Sequence, residues 1–262
     1  MELQQHTTEK LNLTQFDIKT RLGIIKKSRK VNILYACESG SRAWGFASPD
    51  SDYDVRFLYT HPLEWYVKLA EQRDTIDFID EDFDAVGWEL RKSLRLLKKS
   101  NVPALEHLFS PIPYQENNEW IVELRDMAKD CFSPIAGMYH YLSMSKKYEA
   151  KLTGSTIKLK SLFYALRTTI AGKWILEYKT LPPVVFSKML YLVSPNIEKE
   201  IKDLMMVKSE NKESYVHSRN EKLFRFVSET IASNDKYAKS LPSGKPNMER
   251  MDHFLFKSVT EK

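Results

Sequence analysis

The sequence is short of the features that mark several large functional classes. Two cysteines in 262 residues, Cys37 and Cys131, cannot form a disulfide framework and lack the paired spacing of a zinc site, so both read as ordinary buried thiols in a reducing, cytoplasmic compartment. No apolar run approaches the roughly 18 to 20 residues that a spanning helix needs, and Met1 to Lys10 is polar rather than a signal-peptide core. A soluble protein without membrane attachment is the expectation. The six histidines never fall at metal-ligand spacing such as His-x3-His. With only 8 glycines and 11 prolines, and no internal repeat or low-complexity tract, fibrous and disordered classes are excluded as well.

What is there suits a folded core: 42% hydrophobic and 29% charged residues over a length that allows one large domain or two small ones. The formal charge of +5 is unevenly spread. Met1 to His140 carries a net −4 and Tyr141 to Lys262 a net +9. A basic second half can hold triphosphate or nucleic acid, and it can equally be a solvated helical surface.

Along the chain, Thr14 to Lys27 predicts a short amphipathic helix capped by Thr14. Val31 to Cys37 is an apolar run of strand formers that ends at the turn signal Glu38-Ser39-Gly40-Ser41. Tyr53 to Tyr59 and Thr75 to Ile79 read as further strands, and Ala85 to Lys99 reads as a helix because Val86, Leu90, Leu94 and Leu97 recur at three-to-four spacing. From Glu119 onward the pattern is helical: Glu119 to Cys131, Pro134 to Leu152, Thr156 to Tyr178, Pro183 to Val193, Glu198 to Lys208 and Tyr215 to Asn234. The expected fold is α+β, with a mixed sheet flanked by helices in residues 1–113 and an all-helical part in residues 114–262.

The stretch from Gly40 to Asp54 carries the chemistry. Successive strand residues face opposite ways, so Asp52 and Asp54 project from one face with α-carbons roughly 6 to 7 Å apart. Two carboxylates so placed repel unless a cation lies between them, and magnesium favours carboxylate and phosphate oxygens together. Gly40-Ser41, directly after a strand, offers close backbone approach, free N–H groups and a hydroxyl for phosphate oxygens, with Arg42 beside them. In the helical half, Lys160, Tyr164 and Arg167 share a stripe opposite the apolar Leu159, Leu162, Phe163, Leu166 and Ile170. Their cations suit β- and γ-phosphates, although a solvated helix face explains them equally well.

Gly40-Ser41 followed by Asp52-x-Asp54 resembles the signature of the polymerase-beta-like nucleotidyltransferase superfamily. More narrowly, Glu38-Ser39-Gly40-Ser41-Arg42-Ala43-Trp44-Gly45 and Ser51-Asp52-Tyr53-Asp54-Val55-Arg56 look like the predicted nucleotidyltransferase family that includes an RNA-ligase-associated branch. Gly87 to Lys92, Asn101 to Glu106, His140 to Met144 and Lys160 to Arg167 followed by Trp174 fit it too, so the resemblance spans Val31 to Trp174. It implies two magnesium ions held by Asp52, Asp54 and a third carboxylate from a later strand that can serve as general base. Asp77, inside the run Thr75 to Ile79, is the residue chosen for that role, while Asp74, Asp80, Glu81, Asp82 and Asp84 look like loop positions. The implied reaction is attack of an acceptor hydroxyl on the α-phosphate of a nucleoside triphosphate with loss of pyrophosphate. The acceptor is open, with the link to RNA ligases favouring an RNA end. Rival readings are a non-catalytic RNA-binding module and an enzyme that nucleotidylates a partner protein, as in toxin and antitoxin pairs.

Overall fold

The computed structural model describes residues 14–80, 83–116 and 118–260. Helix α1 (Gln15–Arg29) opens on a capping box in which the Thr14 hydroxyl and the Asp17 carboxylate each accept the other's backbone N–H, and it ends at Lys30 in the left-handed region. Strand β1 (Asn32–Glu38) leads through the one-turn helix α2 (Gly40–Trp44) to strand β2 (Tyr53–Thr60). The short α3 (Leu63–Tyr66), then β3 (Thr75–Asp80) and β4 (Phe83–Glu89), complete the first part of the sheet.

Helices α4 (Leu90–Lys98) and α5 (Val102–Leu108), strand β5 (Pro113–Glu116), α6 (Asn118–Cys131) and α7 (Pro134–Glu149) follow. Then come β6 (Thr156–Lys158), α8 (Leu159–Tyr178), a 3-10 segment (Phe186–Leu192), α9 (Pro195–Glu210), β7 (Val216–Ser218), α10 (Glu221–Ala238) and α11 (Met248–Thr260). The class is α+β, as the sequence suggests. None of the described helices is long and apolar enough to cross a membrane.

Two expectations change here. Ala85 to Glu89 is not helix but the second half of β4, and the helix starts only at Leu90. The alternation Phe83, Ala85, Gly87, Glu89 inward and Asp84, Val86, Trp88 half-exposed is that of a strand. In addition, residues 114–262 are not all helical: β5 carries the sheet past the expected boundary at residue 113 by pairing with β1, and the antiparallel pair β6 and β7 replaces the first turns of the helices expected from Thr156 and Tyr215.

The five strands lie in the order β3-β4-β2-β1-β5. Strand β2 is antiparallel to β1 and parallel to β4, with β3 folded back along the outside of β4. One face is covered by α1, whose Ile18, Leu22 and Ile25 pack on Ile33, Val55, Phe57 and Ala85. The other face joins a single large core that runs from Leu34 and Leu58 through Leu94 and Phe163 to Phe254. The helical part is thus packed on the sheet face that carries the even-numbered residues of β2.

The tie between the parts is a buried ion pair. Arg167, in mid-α8 and 2% exposed, donates to Glu106 Oε1 of α5 at 2.7 Å, and its guanidinium lies 4.3 Å from the centre of the Trp44 ring in α2. Glu106 also accepts from Tyr141 Oη at 2.6 Å and Trp44 Nε1 at 3.3 Å. Burial alone would raise the Glu106 carboxyl, but Arg167 and the Tyr141 hydroxyl outweigh it and hold the group below its usual range. Arg167 is therefore turned into the core, contrary to its reading as a phosphate ligand: its end of the stripe faces α5 and α2, whereas Lys160 on the same stripe stays half-exposed. Arg167→Ala leaves Glu106 buried and unpaired and should cost about 3–5 kcal/mol, read as a lower urea midpoint. An unchanged midpoint with weakened triphosphate binding would return Arg167 to the nucleotide site.

Candidate active site

The chain leaves β1 at Glu38 and turns at Gly40, whose φ of +59° lies in the region open to glycine. A Cβ at this position would stand 2.1 Å from Asp54 Oδ2. Only a residue without a side chain fits, so the turn and the Asp54 carboxylate meet in direct contact. The Asp54 backbone is fixed on both sides: its N–H donates to Glu38 Oε1 at 2.9 Å, and its carbonyl accepts from Ser39 N–H at 2.8 Å.

The parallel register of β2 and β4 sets Asp84 directly beside Asp54. Arg56 bridges the two, with Nη2 3.4 Å from Asp54 Oδ1 and 3.1 Å from Asp84 Oδ2, while its Nη1 donates to the Val55 and Asp84 carbonyls. Asp54 titrates above the ordinary carboxylate range: burial raises it most, Arg56 opposes, and the charges of Asp84 and Asp52 raise it further. The charges of two other carboxylates therefore bear on Asp54. Among the described residues no group of three or more Asp, Glu, His or Cys is arranged to hold a metal unaided. Asp54 and Asp84, in register on neighbouring strands, are the carboxylates that could contribute oxygens to a hard cation here if further ligands came from elsewhere.

Asp77 is not part of this cluster. It lies on β3 opposite Val86, two strands and two residues removed from Asp54, roughly 12 Å by strand spacing and rise. Its carboxylate pairs instead with Arg73, on a rim shared with Tyr59 and His61. The β3 residue in line with Asp54 and Asp84 is Ile79.

The opposite wall comes from α8. Lys160 is near enough to lower the Asp54 carboxyl through its charge, and Tyr164 is pushed up by burial first and then by Tyr148, Asp54 and Glu213. Lys160 Nζ donates to Glu213 Oε2 at 2.6 Å. Ser41 is buried, and its hydroxyl donates to Ser51 Oγ at 3.2 Å, which in turn donates to Glu213 Oε1 at 3.0 Å. Arg42 does not reach the cleft: Nη2 donates to the Ser51 carbonyl at 2.7 Å and Nε to the Asp52 carbonyl at 3.2 Å, with the guanidinium 4.0 Å over Tyr53. It braces the loop that delivers Asp52.

The structure thus brings together Gly40, Ser41, Asp52, Asp54, Lys160 and Tyr164, and leaves out Arg42, Asp77 and Arg167. It adds Glu38, Arg56, Asp84 and Glu213, which sequence reasoning missed. Asp84 could have been found from the period-two alternation of Phe83 to Glu89. Glu213 carries no local signal.

A family model described as RNA repair pathway DNA polymerase beta family matches residues 15–257. A Bacillus subtilis (strain 168) protein, described as uncharacterized protein YcgL, is 39% identical over 242 residues, covering 90% of this chain and 93% of that one. A solved nucleotidyltransferase-like protein from Exiguobacterium sibiricum 255-15 aligns over 94% of this chain and 80% of its own at 12% identity, with a TM-score of 0.29 that carries no weight by itself.

Glu38 links the turn to pH. Its carboxyl is raised to about 6 by burial, against the opposing hydrogen bonds from the Tyr114 hydroxyl and the Asp54 N–H. A folded-state value above that of the unfolded chain means that the native state prefers the protonated acid. The associated stability is complete below pH 4.5 and lost as pH rises through about 6, amounting to about 2 kcal/mol. Glu38→Gln is neutral throughout, so the fall in urea midpoint from pH 4 to pH 8 should be smaller in the variant than in the wild type. Identical pH dependence in the two proteins would show that Glu38 ionises as freely in the fold as in the unfolded chain.

Proposed function

The chain belongs to the RNA repair pathway DNA polymerase beta family, and we propose that it is a magnesium-dependent nucleotidyltransferase, moving a nucleoside monophosphate from a nucleoside triphosphate to an acceptor hydroxyl. An RNA end is the acceptor this reading favours. The observation that carries it is the contact of the Gly40 turn with Asp54, with Asp84 in register beside it. Mutually repelling carboxylates next to a bare backbone turn are what a cation-bridged polyphosphate requires, and a protein that only bound RNA would gain nothing from them.

In this reading residues 1–113 supply the carboxylates and residues 114–262 the facing wall. Asp52, Asp54 and Asp84 would hold magnesium, which when bound neutralises their repulsion and stabilises the charge that develops on the phosphate oxygens. Asp84 takes the role that the sequence suggested for Asp77. It stands beside Asp54 and can accept the proton of the acceptor hydroxyl as that oxygen bonds to the α-phosphorus. The bond from the α-phosphorus to the bridging oxygen breaks, and pyrophosphate leaves with the electron pair. Lys160 donates to the leaving phosphates, Tyr164 bounds the cleft, and Arg56 keeps Asp54 and Asp84 parallel.

The test is incubation with each α-labelled triphosphate, magnesium and a panel of RNA, protein and small-molecule acceptors. Asp54→Asn and Asp84→Asn should each lower turnover by about a hundredfold or more with the fold retained, and Asp54→Asn should hold or raise the melting temperature because it removes a carboxylate disfavoured by burial and like charge. Asp77→Asn should stay within about twofold of wild type. Transfer that survives the first two substitutions, or is lost with Asp77→Asn alone, would remove the cleft from consideration.

A further inference from the structure

A carboxylate of the chain itself engages the lysine that the proposed reaction assigns to the leaving phosphates. Glu213 belongs to the strap between α9 and β7, and both of its carboxylate oxygens are engaged: Oε1 by the Ser51 hydroxyl at 3.0 Å and Oε2 by the Lys160 ammonium at 2.6 Å. The Ser51 hydroxyl in turn accepts from Ser41 Oγ at 3.2 Å and from Ser48 N–H at 3.0 Å. Lys160, which the proposed reaction assigns to the leaving phosphates, and the Ser51 hydroxyl, bonded to Ser41 of the turn, therefore converge on one glutamate. Burial first, and then the charges of Tyr148, Asp54 and Glu213, raise the Tyr164 hydroxyl, so both carboxylates lie within electrostatic reach of the same side chain.

Two features separate this contact from an ordinary strut. The side chains of Lys160 and Glu213 are 43% and 26% exposed, and an ion pair so placed contributes little to stability. The strap is also held independently of the carboxylate. The Glu213 backbone N–H donates to Asp50 Oδ1 at 2.7 Å, the Tyr215 carbonyl accepts from Leu159 N–H at 3.3 Å, and buried Lys208 anchors the end of α9 on Ser48 Oγ at 2.6 Å. The side chain can rotate out while its backbone stays in place.

We propose that Glu213 is an internal phosphate mimic, whose carboxylate occupies the Ser51 and Lys160 donors until the terminal phosphates of a nucleoside triphosphate displace it. The inference rests on the nucleotidyltransferase reading of the cleft and adds a competition to it. A triphosphate must break the Lys160–Glu213 pair to bind, whereas a nucleoside monophosphate leaves it intact. Glu213 thereby weakens triphosphate binding and keeps the lysine neutralised when no substrate is present.

The experiment is calorimetric titration of wild-type and Glu213→Gln protein with magnesium and α,β-methylene-ATP, and separately with AMP. The variant should bind the triphosphate analogue about three- to tenfold more tightly than wild type, with AMP affinity the same in both. Glu213→Ala should behave likewise, because the strap keeps its backbone bond to Asp50, and it serves if the glutamine variant is unstable. Equal or weaker binding of the analogue by the variants would overturn the mimic while leaving the nucleotidyltransferase reading in place. Failure of wild type and variants alike to bind the analogue would sink both.

Discussion

The contact between the Gly40 α-carbon and the Asp54 carboxylate is the constraint on which the cleft depends. Any side chain at position 40 would collide with Asp54, so the turn after β1 and the start of β2 must be built as one unit. Glu38 and Ser39 complete that unit by taking up the Asp54 backbone N–H and carbonyl. The Glu38 carbonyl is in turn fixed by the Ser110 hydroxyl at 2.6 Å. Burial and neighbouring negative charge together raise the Asp54 carboxyl. Charges forced together in this way are costly unless something positive is provided, and the chain provides Arg56 from the same strand and Lys160 from across the cleft.

The facing wall is only as well placed as the joint that holds it. Arg167, Glu106, Tyr141 and Trp44 form a buried polar knot that connects α8, α5, α7 and α2. Because α2 is the turn that begins at Gly40, the knot fixes α8 relative to the carboxylates. Its role is positional: it seats α8, which carries Lys160 seven residues before Arg167. A buried pair of this kind is weak evidence for stability but strong evidence for a fixed arrangement once one partner's removal leaves the other charged and dry.

The sequence revealed the near-local part of this site and hid the rest. The turn at Gly40-Ser41 and the strand that carries Asp54 are legible because both are local patterns, whereas Asp52 precedes β2 and does not share the strand face expected of it. Strand β4 was hidden by a coincidence of patterns, since Val86, Leu90, Leu94 and Leu97 have helical spacing although the first of them is in a strand. With β4 went Asp84, whose place beside Asp54 follows from parallel pairing across thirty residues of sequence. Arg167 misled for a related reason: a cation on a helix stripe looks solvated until the partner elements are known, and its partner Glu106 is 61 residues away. Glu213, 162 residues from Ser51, meets the turn only through the packing of the helical part, to which local sequence is blind.

In the proposed reaction Asp54 and Asp84, with Asp52, are the protein's share of a cation site completed by substrate phosphates. Electron paramagnetic resonance titration of Mn2+, standing for magnesium, tests it without requiring the acceptor to be known. The wild-type protein should bind Mn2+ weakly alone and markedly more tightly with α,β-methylene-ATP, and both Asp54→Asn and Asp84→Asn should abolish that enhancement. Enhancement that persists unchanged in both variants would contradict the claim.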